Sequence, residues 1–347
     1  METPPTNWYK HRASDIDLGM ISDDRLGPPE VGGVPTPTIP YRAGVMAAGG
    51  ALINPRLEST LGWLLHGAMG SWSATADVDV FGTADTAMNN HKFVFSTTNQ
   101  AYVPFMGFRK EIPGTALDGS DDMGETFSDC KIIALTLALP NDGLITSRVD
   151  VLGRAADTVY TDNPSFTYVN TLFEDFESIP IGSVVGGFFK IPGFSATELP
   201  ITNATVTLAN APLDIRMEKV YGSPYLEDVT IIGRSLTADI LVKWRDPQLY
   251  RRILTGSTVG TNWSAFPFVE DLDVYALSPG LASAASPWQL RVRAAEIMWQ
   301  VVGGIRLAGN QAVMMRITGT AIAPSSGDYA TINLGNLINT TGYTWPT

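Results

Sequence analysis

The stretch Phe127 to Arg154, FSDCKIIALTLALPNDGLITSRVDVLGR, sets two apolar-rich runs on either side of Asn141-Asp142-Gly143. An Asp-Gly step can supply the positive φ of a tight hairpin turn, so two antiparallel strands are predicted here. On the incoming run Ile133, Leu135, Leu137 and Leu139 share one face, and Ala134, Thr136 and Ala138 share the other. That period of two is the period of a strand. On the return run Leu144, Thr146, Arg148 and Asp150 alternate with Ile145, Val149 and Val151, and only Ser147 is out of step. A lone hairpin is marginal in water, so this one needs a larger sheet.

A second copy of the pattern lies at Met298 to Ala321, MWQVVGGIRLAGNQAVMMRITGTA, with its turn at Gly309-Asn310. Its return strand, Val313 to Gly319, matches Ile145 to Gly153 in ending on a glycine. A helix signal precedes each hairpin. Asn54-Pro55 opens a run with Leu57, Leu61, Leu64 and Leu65, and Asp246-Pro247 opens one with Leu249, Ile253 and Leu254. Each start has a capping side chain, proline at the first helical position and apolar residues at helical spacing. The expected ends are Gly67 and Gly256. The chain therefore reads as an internal duplication of strand, short helix, strands and closing hairpin.

The 347 residues suit two domains plus tails, with 44% hydrophobic and only 17% charged residues. Low charge with 33 Gly and 23 Pro fits many short strands joined by turns. Cys130 is the one cysteine, so no intrachain disulfide forms, and it reads as a buried thiol. The opening METPPTNWYKHRASDI resembles neither a signal peptide nor a membrane anchor, and no apolar run reaches spanning length. Asn203, Asn262 and Asn339 therefore read as chance glycosylation matches. A net charge of −12 argues against a protein that grips nucleic acid. Residues 44–160 carry 7 basic and 13 acidic side chains, or −6, whereas 201–323 carry 11 and 10, or +1.

Residues 1–43 are proline-rich with little periodicity and read as an arm, with Trp8 and Tyr9 as anchors. The tail from Pro324 to Thr347 reads likewise, with Tyr343 and Trp345. Short strands are expected at Val78–Phe81, Lys92–Ser96 and Tyr102–Ile112, and longer ones at 206–220, 229–244, 272–277 and 289–300. In the run 229–244, Leu236, Ala238, Ile240 and Val242 line one face. Residues 155–200 read as an insertion between the halves. The segment 113–128, with Thr115, Asp118, Asp121, Asp122 and Glu125, reads as a long acidic loop between strands. Its spacing does not match an EF-hand, and a loop that orders on assembly is preferred over a calcium site or a merely solvated loop.

No constellation for catalysis stands out. His11, His66 and His91 form no ligand pair, and Gly70-Ser71-Trp72-Ser73-Ala74 fails the nucleophile-elbow pattern at its last position. The pairs Asp77/Asp79 and Asp271/Asp273 would share a strand face, as a glycosidase could use, but so would any solvated face. No metal, cofactor or catalytic residue is expected.

The arm, the strand and short helix, the acidic loop, the hairpin closing in Val151-Leu152-Gly153-Arg154, and the repetition of strand, helix and closing hairpin resemble the major tail tube proteins of long-tailed bacteriophages. FSDCKIIALTLALPNDGLITSRVDVLGR and GRSLTADILVKWRDPQLYRRILTGS carry the likeness most closely. The resemblance implies a mainly β fold: two tandem tail-tube-like β-sandwich or half-barrel domains, 44–160 and 201–323, each with one flanking helix. An N-terminal arm (1–43), an insertion (161–200) and a C-terminal arm (324–347) complete it. It implies a structural virion protein, trimeric in a pseudo-hexameric ring, that stacks into the tail tube. The implied partners are other copies, a tape-measure protein, tail-end proteins and the genomic DNA, which passes through the lumen without specific binding. The implied place is the virion, after assembly in the host cytoplasm, without membrane insertion. The charge difference between the halves suggests Arg245, Arg251, Arg252, Arg291 and Arg293 as partners of the acidic half. A capsid or baseplate component is the next reading, and a β-rich carbohydrate-binding or hydrolytic module the third.

Overall fold

A computed structural model describes residues 7–28, 39–95, 102–115, 123–161, 167–168, 179–180, 188–190, 201–245, 247–282, 286–306, 312–324 and 326–343. The first strands are β1 (Asn7–Trp8), β2 (Ala13–Ile16), β3 (Gly19–Leu26) and β4 (Pro40–Ile53), followed by helix α1 (Thr60–Met69). Then come β5 (Gly70–Thr75), β6 (Asn89–Phe95), β7 (Met106–Ile112), β8 (Met123–Pro140), β9 (Thr146–Thr161), β10 (Thr167–Tyr168) and β11 (Phe188–Lys190). The chain continues through β12 (Ile201–Pro212), β13 (Ile231–Lys243), α2 (Gln248–Thr255), β14 (Phe268–Leu281), β15 (Pro287–Arg306), β16 (Met314–Ala321) and β17 (Ala330–Asn336). The fold is mainly β, as expected, with fifteen of the strands in one sheet.

Two four-strand units repeat one pairing order. In the first, β3, β4, β9 and β8 lie side by side, all antiparallel, with β7 along the first part of the outer edge of β8. In the second, β12, β13, β16 and β15 do the same, with β14 on the outer edge of β15. The closing glycines explain themselves here. Gly153 lies opposite Cys130, and Gly319 opposite Trp299. A Cβ at Gly153 would sit 2.3 Å from the Cys130 sulfur, and one at Gly319 would sit 2.7 Å from the Trp299 ring. Each glycine makes room for a buried side chain of the strand it pairs with.

Alternation buries Leu236, Ala238, Ile240 and Val242, as the period of two predicts, together with Leu135, Leu137, Val149 and Val151. They join one core with Leu57, Leu61, Leu64 and Leu65 around α1 and Leu249 and Ile253 of α2. Each fully buried Leu or Ile contributes about 1.5–3 kcal/mol, so this shared layer is the main force holding the units together.

Several local expectations give way to the structure. The hairpin forms, but its last ladder pair is Ala138 with Thr146, and Gly143 is not among the positive-φ residues. The connection is therefore wider than a two-residue turn, and the Ile145 N–H donates to the Pro180 carbonyl at 2.9 Å. A bulge between Ile132 and Ala134 turns Ile133 to the opposite face, where it packs on a small cluster with Leu152, Val229 and Ile231. Ser147, out of step in the pattern, is fully buried.

Helix α1 begins at Thr60 after a turn at 57–59, downstream of Asn54 and Pro55, because the Leu61 N–H reaches back to the Arg56 carbonyl. It ends at Gly70, φ 77°, and not at Gly67, which lies inside the helix under the Met106 sulfur. Helix α2 ends at Gly256, φ 74°, as expected; Pro247 precedes its first residue, and Asp246 lies outside the described residues. Residues 78–81 form no strand, since Asp79 Oδ1 accepts from the backbones of Phe81 and Thr83 and folds the chain into a turn. Asp77 and Asp79 thus share no strand face, and Asp273 of the other pair is held by Arg291 at 2.6 Å.

Described segments near both ends of the chain are built into the sheet. Residues 13–26 form β2 and β3 along β4 of the same chain. At the other end β17 lies between β15 and β6, so the last strand joins the second unit to β5 and β6 from the first part of the chain.

Candidate functional site

The features available for function are the joint between the units and the edges left beside them. Past Cys130 the outer edge of β8 passes from β7 to β12, which pairs antiparallel from Ala134 opposite Ala209 to Pro140 opposite Asn203. Thr136 and Thr207 hydrogen-bond across this joint through their hydroxyls at 3.2 Å. Polar side chains fasten α1 to it. Asn210, buried on β12, donates to the carbonyls of Ala68 and Ile132 at 2.9 and 2.8 Å. Arg234 on β13 donates to Asn210 and to the same Ala68 carbonyl, with its guanidinium over the Phe95 ring at 4.4 Å. Burial lowers the Arg234 pKa to about 10. These bonds satisfy a carbonyl that the helix end leaves without an intrahelical partner. Sequence reasoning missed this pair; its one signal is that Asn210 falls in step with Ala204, Val206 and Leu208, and Arg234 with Leu236, Ala238 and Ile240.

The outward surfaces are apolar in places. Met20 and Ile21 on β3 are about half exposed, and Leu26 more so. After α2, Val259, Trp263 and Phe266 are nearly four-fifths exposed. Large side chains left to water in this number mark contact surfaces.

The predicted site residues distribute as follows. Thr115 is exposed, whereas Glu125 lies within β8, opposite and ion-paired with Lys110 of β7, so the span between strands is 113–122 and not 113–128. Asp118, Asp121 and Asp122 lie outside the described residues. Arg252 is bound to Glu270 at 2.6 Å and Arg291 to Asp273, so both already have acidic partners within the chain. Arg245, Arg251 and Arg293 are exposed. Arg291 and Arg293 line a cleft with Lys92 and Asp328, and Lys92 and Asp328 pair at 2.5 Å.

The aromatic anchors hold the chain's own body. Trp8 is buried, Tyr9 lies 5.2 Å from the Trp63 ring, and Trp345 lies outside the described residues. Tyr343 is 1% exposed, in a box of Trp63, Trp72, His91 and Phe93. The His91 ring bonds the Ile338 carbonyl at 3.0 Å, and the His66 ring bonds the Tyr343 carbonyl at 2.9 Å. These histidines serve packing.

Among the described residues no group of three or more His, Cys, Asp and Glu is placed to hold a metal. Nor is any helix there long and apolar enough to cross a membrane. Comparison with curated proteins finds no match. A family model described as phage tail tube protein matches residues 22–268, from β3 to the start of β14. The match covers most of the chain and takes in the first unit from Ser22 onward, the joint and α2, so this chain belongs to the phage tail tube protein family and is a structural protein of the virion tail.

Proposed function

We propose that this chain self-assembles into rings of three copies, each contributing two fused tube domains, and that stacked rings form the conduit for genome delivery. The observation that carries the reading is the β8–β12 joint: two units of one pairing order are already joined edge to edge within a chain. A ring of single units would need one kind of interface, whereas a fused pair makes one joint within the chain and another between chains. Six lobes with true three-fold symmetry are expected in tube cross-sections by electron microscopy, and six chains per ring would sink the reading. The acidic balance of the chain, −12, suits a wall past which phosphates slide. A tape-measure protein, tail-end proteins and passing DNA are the proposed partners, assembly is placed in the host cytoplasm, and no catalysis is proposed. A broad hydrolase screen would contradict the last point if it found turnover abolished by one carboxylate substitution.

The acidic span 113–122 is proposed to contact the neighbouring ring. Its residues Asp118, Asp121 and Asp122 have no base near them in sequence to neutralise their charge. Deleting residues 115–122 leaves β7 and β8 intact, so a folded, soluble subunit that no longer forms tubes is expected. Normal tubes from that deletion would make the span dispensable. The exposed Arg245, Arg251 and Arg293 remain candidates for guiding acidic and near-neutral domains together, at ~0–1 kcal/mol per surface pair. Assembly rate should then fall with added salt, and a salt-independent rate would remove that role.

A further inference from the structure

The joint within the chain predicts the joint between chains, strand by strand. On β8, the neighbour β7 reaches Cys130, and β12 takes the same edge from Ala134 onward. On β15, the neighbour β14 reaches Trp299, the residue opposite Gly319 just as Cys130 is opposite Gly153. Beyond Trp299 that edge of β15, from Gln300 to Arg306, has no strand against it among the described residues. The complementary edge lies at the other end of the sheet. β12 is flanked by both β13 and β8, while β2 and β3, which hold its place in the first unit, are flanked only by β4 among the described residues.

We propose that β3 of one copy pairs antiparallel with the edge of β15 beyond Trp299 in the next copy, reproducing between chains the β8–β12 joint found within one. This rests on the ring reading above. The register follows from the repeat. Asp150 lies opposite Ala134 as Arg316 lies opposite Val302, so Val302 holds the place of Ala134. Val151 lies opposite Gly49 as Ile317 lies opposite Ile240, so Gly44 holds the place of Ser235. Ala209 pairs with Ser235 and Asp23 pairs with Gly44, which puts Asp23 in the place of Ala209. Ala209 faces Ala134 within the chain; Asp23 therefore faces Val302 of the next copy.

The edges have the character this joint needs. β3 contains no proline and no lysine, the usual guards of a free edge, and it exposes Met20, Ile21 and Leu26. Its charges are already matched, Asp23 by Arg25 at 2.7 Å and Asp24 by Arg42 at 2.7 Å, so pairing strands there strands no single carboxylate. Val302 is 40% exposed, and it stands where β15 departs from β16, with Gly303 at φ 73° in the irregular stretch before Arg306. β8 carries its own bulge just before the matching residue, between Ile132 and Ala134, whereas the irregular stretch of β15 follows Val302. Both long strands thus change course where a new neighbour takes over their edge.

Two substitutions, Asp23→Cys and Val302→Cys in the same chain, test the register. Directly opposed residues of an antiparallel pair bring Cα atoms within the ~4.4–6.8 Å that a disulfide spans. After oxidation of assembled protein, a denaturing gel without reductant should show chains linked through this pair, in a ladder ending at three. A mixture of the two single variants should give linked pairs and nothing larger. Tubes that form but link only through another pair, such as Asp23→Cys with Thr75→Cys on β5, would overturn this joint and leave the ring reading standing. Failure of the parent chain to form rings at all would remove both. A charge pair covers the case in which the cysteines prevent assembly. Val302→Asp sets like charges opposite each other and should abolish tubes, and Asp23→Lys added to it should restore them. Absence of that restoration overturns the register.

Discussion

Replacing Tyr343 with alanine is expected to lower folding stability by about 4 kcal/mol, the largest loss for any single side chain near the end of the chain. Its ring lies 4.9 Å from His91, 5.5 Å from Trp63 and 5.8 Å from Phe93, measured between centroids. It rests directly on α1, where a Cβ at Gly62 would lie 2.1 Å from it. The hydroxyl donates to the Ser59 carbonyl at 2.8 Å and accepts from Asn336 Nδ2 at 3.0 Å. Truncation to alanine opens a cavity too well walled to collapse and leaves both polar groups without this partner. Tyr343→Phe keeps the ring and should lose only about 1 kcal/mol. Urea unfolding of the subunit at a concentration below assembly measures both. An alanine variant within about 1 kcal/mol of the parent would show that the box is not closed by this residue.

The consequence reaches beyond one side chain, because Tyr343 follows the strand that links the second unit to β5 and β6. β17 pairs with β15 on one edge and β6 on the other. Asn336 then donates to the Leu57 carbonyl at 3.0 Å, just before α1. Loosening this clasp separates β5 and β6 from the second unit, and with them one wall of the core.

The sequence made the strands, their alternation and the repeat legible because those are local properties. Leu236 to Val242 alternate within seven residues, and both hairpins carry their glycine where a facing side chain excludes any other residue. Long-range pairing has no such signature. Nothing in Asn89–Phe95 announces that its neighbour is Ala330–Asn336, more than two hundred residues away. Bulges were invisible for a related reason, since one added residue changes the face of Ile133 without changing composition. Proline at Pro55 misplaced the start of α1, because a capping pair serves equally well in the turn before a helix. The low periodicity of the N-terminal arm describes β3, an edge strand exposed along most of its length, as well as it describes an arm. Asn210 and Arg234 could have been singled out, because a polar side chain on a buried strand face must find partners.

Acid should release the clasp, and the hydrogen bonds give the sign. His91 is fully buried, its Nε2 facing the Ile338 carbonyl and its Nδ1 facing Trp72 Nε1 at 3.3 Å. A carbonyl only accepts and an indole N–H only donates, so Nε2 carries the proton and Nδ1 is bare. Protonating Nδ1 would set two N–H groups against each other. Burial lowers the His91 pKa to about 4, against a smaller opposing effect of the Ile338 carbonyl. Burial likewise lowers His11 to about 4 and lowers His66, opposed by the carbonyls of Thr60 and Tyr343 respectively. Above pH ~6.5 these rings are neutral in both folded and unfolded chains and have no effect on stability. Below it the unfolded chain takes up protons that the folded one refuses, so stability falls with pH until the folded pKa is reached. For His91 alone the loss between pH ~6.5 and ~4 is about 3 kcal/mol. The carboxylates Asp17, Asp23 and Asp24 are held below their ordinary range, first by hydrogen bonds from Arg148, Arg25 and Arg42, so their effect falls at lower pH. Asp271, raised by burial, works in the opposite direction. Unfolding in urea at pH 7, 6, 5 and 4.5 should show the parent losing stability steadily, and His91→Gln should lose about 2 kcal/mol less over the full span. Equal pH slopes for the two would remove His91 from the account. All three imidazoles bond to α1 or the last described residues, so protons taken up on unfolding weaken the clasp that ties those residues to the first helix.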